Sequence, residues 1–431
     1  MECPMKQDMP SNTPDRTDAG HPVPHLVSRR SVLAALGGGT ALLSLSALAG
    51  CAPDLLGGGS GSIGASAGGG LATIEDSVSA PRRVSIAMVG DVLVHEGVWM
   101  GGERADGTRN YDHIFAPARE LIEDADIAIV NQETVLGGDA LGLSGYPAFN
   151  SPQEMGDAEA AAGFDVACSA TNHALDKGFA GIEATRAFWR ENHPEVVSAG
   201  IAETAEAAAE IPLITRDDIT VAILNYTEST NGIPIPVASP WCVNMLEREA
   251  IAADVTAARE QGADIVVVCP HWGVEYQLEP TDGQREWATY FAELGVDAVI
   301  GTHPHVLEPV ELIARSDGGQ MPVFWSLGNF ISWQARKDTM VGGFAEVTFE
   351  MAGDAPRLAG VALTPVVSHL SLDTQMASYP IASYTEELAS ANGIRRSGGC
   401  GDFTLAWCHD LCAQVLGEGY DRERGVFELT V

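Results

Sequence analysis

Residues 84–91 read Val84-Ser85-Ile86-Ala87-Met88-Val89-Gly90-Asp91, a short apolar run that stops at a glycine and a carboxylate. The pattern returns at Ile127-Ala128-Ile129-Val130, which stops at Asn131-Gln132-Glu133. It returns again at Val166-Ala167-Cys168-Ser169, which leads into Thr171-Asn172-His173. Further runs lie at 221–224, 265–269, 298–300 and 323–325. Runs this short, apolar at successive positions and rich in β-branched residues, mark strands buried on both faces. Helical patterning separates them, near 116–123, 178–191, 246–261 and 283–294. Strand and helix in alternation predict an α/β sandwich, β-sheets flanked by helices. In open α/β sheets, sites assemble beyond the carboxyl ends of strands, and that is where the polar residues recur. Past residue 340 the text changes: 344–349 and 358–363 read as antiparallel strands, 384–392 and 403–416 as helices packed on the outside. The expected organisation is a main domain over 81–370 and a helical extension over 371–431.

Asp91, His95, Glu133, Asn172, His173, His271, His303 and His305 all sit at or just after predicted strand ends. Any one of these histidines alone reads more naturally as packed or exposed than as a ligand. Gathered with two carboxylates and an amide, they read as a metal site. Divalent metals accept neutral imidazole and carboxylate, and a metal pair needs a shared oxygen ligand. The expectation is one or two divalent ions (Mn, Zn, Fe or Mg), which would make water a nucleophile near neutral pH. His173 is placed to donate a proton to a leaving group, with Asp176 to orient it. Glu275, Tyr276 and Asn329 are candidates for substrate contact; their structural alternatives are helix capping, core packing and turn geometry. Lys177 either meets an anionic substrate or is an exposed loop charge.

Six motifs carry a resemblance. In order they are Gly90-Asp91-Val92-Leu93-Val94-His95, Asn131-Gln132-Glu133-Thr134, Ala170-Thr171-Asn172-His173-Ala174-Leu175-Asp176-Lys177-Gly178, Pro270-His271-Trp272-Gly273-Val274-Glu275-Tyr276, Gly301-Thr302-His303-Pro304-His305 and Ser326-Leu327-Gly328-Asn329-Phe330. Over roughly residues 84–335 the set resembles the bacterial capsule-synthesis (CapA-type) family of poly-gamma-glutamate production. That family is related to the calcineurin-like metallophosphoesterases. The resemblance implies a metallophosphatase-like sandwich. It implies that Asp91 and His305 hold a first metal, that Asn172, His271 and His303 hold a second, and that Glu133 stands where the phosphatases have a bridging Asp. His173 stands where they place the histidine that protonates the leaving group. His95, four residues after Asp91 where the phosphatases have two, is a ligand or lines the mouth. The functions implied are a metal-dependent hydrolase of a phosphoester or an amide, or a non-catalytic factor that binds an envelope polymer during assembly or export. A general nucleotidase is a third reading, for which no aromatic clamp is assigned. Partners would be an envelope polymer or a small anionic substrate, and capsule-synthesis membrane proteins.

The N-terminus reads as an address. Residues 1–27 are polar and rich in Pro and Asp, a composition of disorder. Ser28-Arg29-Arg30-Ser31-Val32-Leu33 opens an apolar run that ends in Leu48-Ala49-Gly50-Cys51. Paired arginines before such a run read as a twin-arginine export signal. The ending resembles a lipoprotein cleavage box, in which the Cys51 thiol takes a lipid. Residues 1–50 would then be disordered segment plus signal. Residues 51–80, with the run GGGSGSIGASAGGG over 57–70, would be a lipidated Cys and a flexible tether. The protein is expected at the extracytoplasmic face of the membrane, held by its lipid. Disulfides are permitted there, and one among Cys400, Cys408 and Cys412 is allowed with its pairing open. Cys168 and Cys269 end apolar runs and read as buried thiols. With 24 Lys+Arg against 59 Asp+Glu, the net charge is -35. Such a surface repels nucleic acid and excludes a basic-patch nucleic-acid binder.

Overall fold

Side-chain alternation along single strands sets the layers. In the segment Ile219–Thr227, Val221 and Ile223 enter one core cluster, while Ala222, Leu224 and Tyr226 enter another. In Ile265–His271, Ile265, Val267 and Cys269 go one way, Val266 and Val268 the other. A strand apolar on both faces has to be covered on both, here by a second sheet on one side and helices on the other. The computed structural model that shows this describes residues 82–353, 355–373 and 376–431. The export signal, Cys51 and the tether lie outside the described residues.

The first sheet contains β1 (Arg83–Val92), β2 (Ile127–Gln132), β3 (Val166–Cys168) and β4 (Val197–Ala199), mutually parallel in that order. The second contains β5 (Leu213–Arg216), β6 (Ile219–Thr227), β7 (Ile265–His271), β8 (Ala298–Ile300), β9 (Val310–Ala314) and β10 (Gln320–Phe324), in the order β5-β6-β7-β8-β10-β9. Strands β6, β7, β8 and β10 are parallel. The short β11 (Asn329–Ile331) returns the chain to β1. β12 (Val341–Ala352) and β13 (Ala355–His369) then extend the first sheet with antiparallel pairing. The result is the sandwich of sheets flanked by helices that the alternation predicts. On the outer face of the second sheet, helix Asp282–Glu293 opens with a Thr281/Gln284 capping box and buries Ala288, Phe291 and Ala292 along one stripe.

Two expectations need correction. The tail over 371–431 is not only a helical extension. It supplies helix Leu405–Leu416, but also β14 (Ala377–Pro380), β15 (Tyr420–Asp421) and β16 (Val426–Leu429), all within the first sheet. All described residues belong to one compact unit, because β13 offers edge positions that β14 and β16 fill. Cys400, Cys408 and Cys412 are buried free thiols and form no disulfide. They pack into the main core instead. Cys168 and Cys269, 0% and 1% exposed, are core thiols as read. No helix among the described residues is long and apolar enough to cross a membrane.

Candidate metal centre

Backbone register makes the first contact of the site. Asp91 on β1 lies opposite Asn131 on β2 and Asn329 on β11. Gly90 allows this approach: a Cβ there would lie 1.9 Å from the Gly328 carbonyl oxygen. Asn131 Nδ2 donates to Asp91 Oδ1 at 2.8 Å, and Asp91 Oδ2 is 3.0 Å from His305 Nδ1. Asn329 Oδ1 meets the same His305 nitrogen at 3.1 Å. Glu133, one residue past β2, is fixed through its backbone, with its carbonyl accepting from Thr171 Oγ1 at 2.7 Å.

From the second sheet, His271 ends β7. Its Nδ1 is 3.0 Å from Thr302 Oγ1, and its Nε2 is 3.0 Å from Asn172 Oδ1, 3.2 Å from His303 Nδ1 and 3.6 Å from Glu133 Oε1. His303 and His305 both have left-handed backbone, φ 102° and 61°. Such φ values are uncommon outside glycine and cluster at functional sites.

Two groups of potential ligand atoms result, each within 4.8 Å: Asp91, Glu133 and His305, and Glu133, His271 and His303. Glu133 belongs to both. Metal–ligand bonds of about 2.1 Å put neighbouring ligand atoms about 3–3.5 Å apart, so these spacings suit coordination. Glu133 itself shows that a cation fits. Its side chain is fully buried, and neither carboxylate oxygen has a hydrogen-bond partner among the described residues. A buried carboxylate with no hydrogen bond to either oxygen, only longer contacts with His271 and His305 at 3.6 and 3.8 Å, is expensive to maintain, and one shared cation or a pair would compensate it.

The protonation pattern agrees. Burial pushes the Glu133 carboxyl well above its ordinary range; His305 pulls it back, and Asp91, Glu275 and Asp176 push it further. Burial alone would lower His305, but Glu133 and Asp91 overcome it and hold it up at about 9. Burial, with neighbouring imidazoles adding to it, lowers His303 to about 3 and His271 well below its ordinary value. The centre therefore holds a proton on His305 and excludes protons from His271 and His303.

A stability optimum follows for chelated protein. His305 and Glu133, both raised, stabilise at low pH and lose that contribution as pH climbs, for His305 through about 9. His303, His271 and His95, all lowered, stabilise above the unfolded value of 6.5 and lose that contribution as pH falls below it. Thermal melts of chelator-treated protein are expected to fall off on both sides of neutrality, and a saturating divalent ion is expected to flatten the alkaline side.

The remaining sequence candidates divide. His173 is beside the cluster, its Nδ1 2.7 Å from Asp176 Oδ2, which also accepts from the Phe149 backbone N–H at 2.7 Å. His95 is in neither ligand group. Its Nδ1 faces Leu93 O at 3.2 Å and accepts from Trp333 N at 3.3 Å. Burial lowers it to about 4. Asn329 is fully buried, its Nδ2 donating to Ser332, Gln334 and Thr339, so it braces His305 and presents nothing to solvent. Glu275 is exposed, Tyr276 half-buried. Lys177 precedes helix Gly178–Asn192, and its ammonium has no hydrogen bond or ion pair among the described residues.

Sequence reading missed three neighbours. Asn131 stands in the second motif, where no role was assigned to it. Phe149 sits edge-on between His95 and His173, with ring centroids 5.0 and 4.6 Å away. Asn231 Nδ2 lies 3.5 Å from His173 Nδ1, and its Oδ1 accepts from Asn172 Nδ2 at 3.3 Å. The last two come from loops without a strand-end signal.

The family described as "Bacterial capsule synthesis protein PGA_cap" matches residues 85–334, more than half of the chain. This protein belongs to that family. Among its relatives, the PGA biosynthesis protein CapA of Bacillus subtilis (strain 168) is 34% identical over 180 residues, 41% of this chain and 45% of that protein. The capsule biosynthesis protein CapA of Bacillus anthracis is 27% identical over 271 residues, 60% of this chain and 62% of that one. The chain thus spans about half to three fifths of the length of these relatives. Among solved structures, a 5'-nucleotidase precursor from Thermus thermophilus superposes with a TM-score of 0.44 at 16% identity, over 66% of this chain and 54% of that one. The calcineurin-like phosphoesterase YfkN from Bacillus subtilis gives a TM-score of 0.35 at 13% identity, over 66% and 91%. At such scores the chemistry has to be read from the side chains. In this family member, those are two ligand groups joined by Glu133, with His173 and Asp176 alongside.

Proposed function

We propose that this chain is an exported, lipid-anchored, metal-dependent hydrolase that acts on an envelope polymer of the poly-gamma-glutamate type during capsule biosynthesis. The observation that carries the reading is the buried Glu133 carboxylate, without a hydrogen bond to either oxygen and shared by two ligand groups. Family membership and the names of the relatives support the polymer. Paired Arg29-Arg30, the apolar run after them and Cys51 support export and anchoring.

Asp91, His305 and Glu133 would hold one divalent ion; Glu133, His271 and His303, with Asn172, would hold another. When bound, the ion supplies Lewis acidity and a nucleophilic water near neutral pH. His173 has Nδ1 occupied by Asp176, so its Nε2 is the nitrogen left to give a proton to a leaving alkoxide or amine. Asp176 fixes the ring through one oxygen and ties it to the Phe149 loop. Phe149, against both His95 and His173, keeps water from the flank of the proton donor.

Titration of chelated protein with Mn²⁺ or Zn²⁺ tests this. The expected result is one or two tight equivalents, a rise in melting temperature, and proton release at neutral pH read from the buffer dependence of the binding heat, since His305, held up at about 9, must give up its proton. Metal-loaded protein should then cleave gamma-linked glutamate oligomers and lose that activity to chelator. Stoichiometric metal without cleavage, together with metal-dependent oligomer binding, would favour the assembly-factor reading. Absence of any metal binding would sink both.

A further inference from the structure

Among the described residues, six other than glycine have left-handed backbone: Asp217, Asp218, Asn231, Tyr276, His303 and His305. The first two form the turn between β5 and β6. The other four border the metal centre, and Tyr276, at φ 66°, is the bulkiest of them. A tyrosine resists that conformation, so something over-determines its position. Its N–H donates to the Pro304 carbonyl at 2.8 Å, and its ring centroid is 6.1 Å from that of His305. Its hydroxyl accepts from Gln334 Nε2 at 3.2 Å, Gln334 Oε1 accepts from Asn329 Nδ2 at 2.8 Å, and Asn329 Oδ1 meets His305 at 3.1 Å. The Tyr276 ring is thereby wired to the centre.

Over that ring, 4.5 Å from its centroid, lies the Arg336 guanidinium. Asp338 engages Nε and one Nη, at 3.1 and 2.6 Å, and the other Nη has no partner among the described residues. The side chain is 48% exposed. An ion pair this exposed contributes little, so a ligand anion can share or displace it. The next residue, Lys337, pairs with Asp402 at 2.7 Å and lies over the Trp407 ring. In a chain of net charge -35, an acidic substrate needs a local cation to be held near buried carboxylates. Arg336 lies past residue 334, where the family match ends.

We propose that Arg336, seated on Tyr276, forms an anion subsite at the mouth of the centre and reads a free carboxylate of the substrate next to the bond under attack. A guanidinium fork suits a carboxylate or a phosphate, and the polymer reading above, on which this rests, selects the carboxylate. Tyr276 positions the fork, and Glu275, exposed beside it, disfavours a second negative charge on that side.

The test compares metal-loaded wild type, Arg336→Gln and Arg336→Lys on gamma-linked glutamate oligomers with free or methyl-esterified alpha-carboxylates, and on p-nitrophenyl phosphate. The kcat/KM ratio of free acid to ester is expected to fall about tenfold in Arg336→Gln, chiefly through KM, with partial recovery in Arg336→Lys. An unchanged ratio overturns the subsite and leaves the hydrolase intact. A KM rise confined to the phosphomonoester overturns the carboxylate assignment. If the wild type turns over nothing, the hydrolase reading fails; oligomer binding then decides the subsite, an equal affinity of wild type and Arg336→Gln overturning it and an approximately tenfold loss supporting it.

Discussion

Replacing Glu133 by Gln is expected to stabilise the metal-free protein at neutral pH while abolishing its response to metal. The two effects have one cause. In the absence of an ion, Glu133 is a fully buried carboxyl whose oxygens lack hydrogen bonds, and burial raises its pKa well above the ordinary range. Below the unfolded value near 4.5 the group is protonated in both states and nothing is lost. As pH rises past it, the unfolded chain ionises freely and the folded chain resists, so the native state loses stability. Glutamine keeps the shape and removes the charge, leaving Asp91 and His305 to pair at 3.0 Å. A modest gain is expected in chelator, because the cost of ionising a buried carboxyl is gone and Asp91 still pairs with His305. With Mn²⁺ or Zn²⁺ the order reverses, because an amide cannot serve as the shared anionic ligand of both groups. Wild type should gain stability with metal, by about 4 kcal/mol at a thousandfold excess over Kd, and Glu133→Gln little or none. Melting curves of both proteins in chelator and in metal measure this. If Glu133→Gln takes up metal as wild type does, Glu133 is not the shared ligand.

His173→Ala should lower kcat by about 10²–10⁴-fold, the usual contribution of a general acid, without loss of bound metal. His173 is outside both ligand groups, so metal content is the control that separates proton transfer from coordination. Asp176→Asn should be less severe in chemistry and more so in structure. Asp176 Oδ2 serves both His173 and the Phe149 N–H, and an amide that turns its NH₂ toward either loses that bond. A His173→Ala enzyme with wild-type kcat on a substrate with a poor leaving group would exclude His173 as donor.

The parts of this protein legible in one dimension are those in which local chemistry and position coincide. Strands β1, β2, β3, β6, β7, β8 and β10 announce themselves because each is apolar on both faces, and burial on both faces leaves no other composition. Their ends announce themselves too, since a polar residue directly after a buried strand has to emerge at the sheet rim. Asp91, Glu133, His271, His303 and His305 were legible on that ground. Short edge strands were not. β4, β5, β9 and β14 have mixed polarity and three to five residues each, too few for a period to show.

Only the tertiary structure decides which rim residues meet. His271 and Asn172 are 99 positions apart, His305 and Asp91 are 214, and their convergence depends on how two sheets pack, which no local pattern encodes. The same holds for Asn329, read as a substrate contact and found bracing His305. It holds for Arg336, an ordinary exposed arginine until folding lays it on Tyr276. Sequence alone determined the elements, their order and the pool of ligand-type side chains, because burial and hydrogen bonding constrain each element locally. Distance between side chains was left to the packing of the sandwich, and distance is what turns six scattered polar residues into a place able to hold a cation.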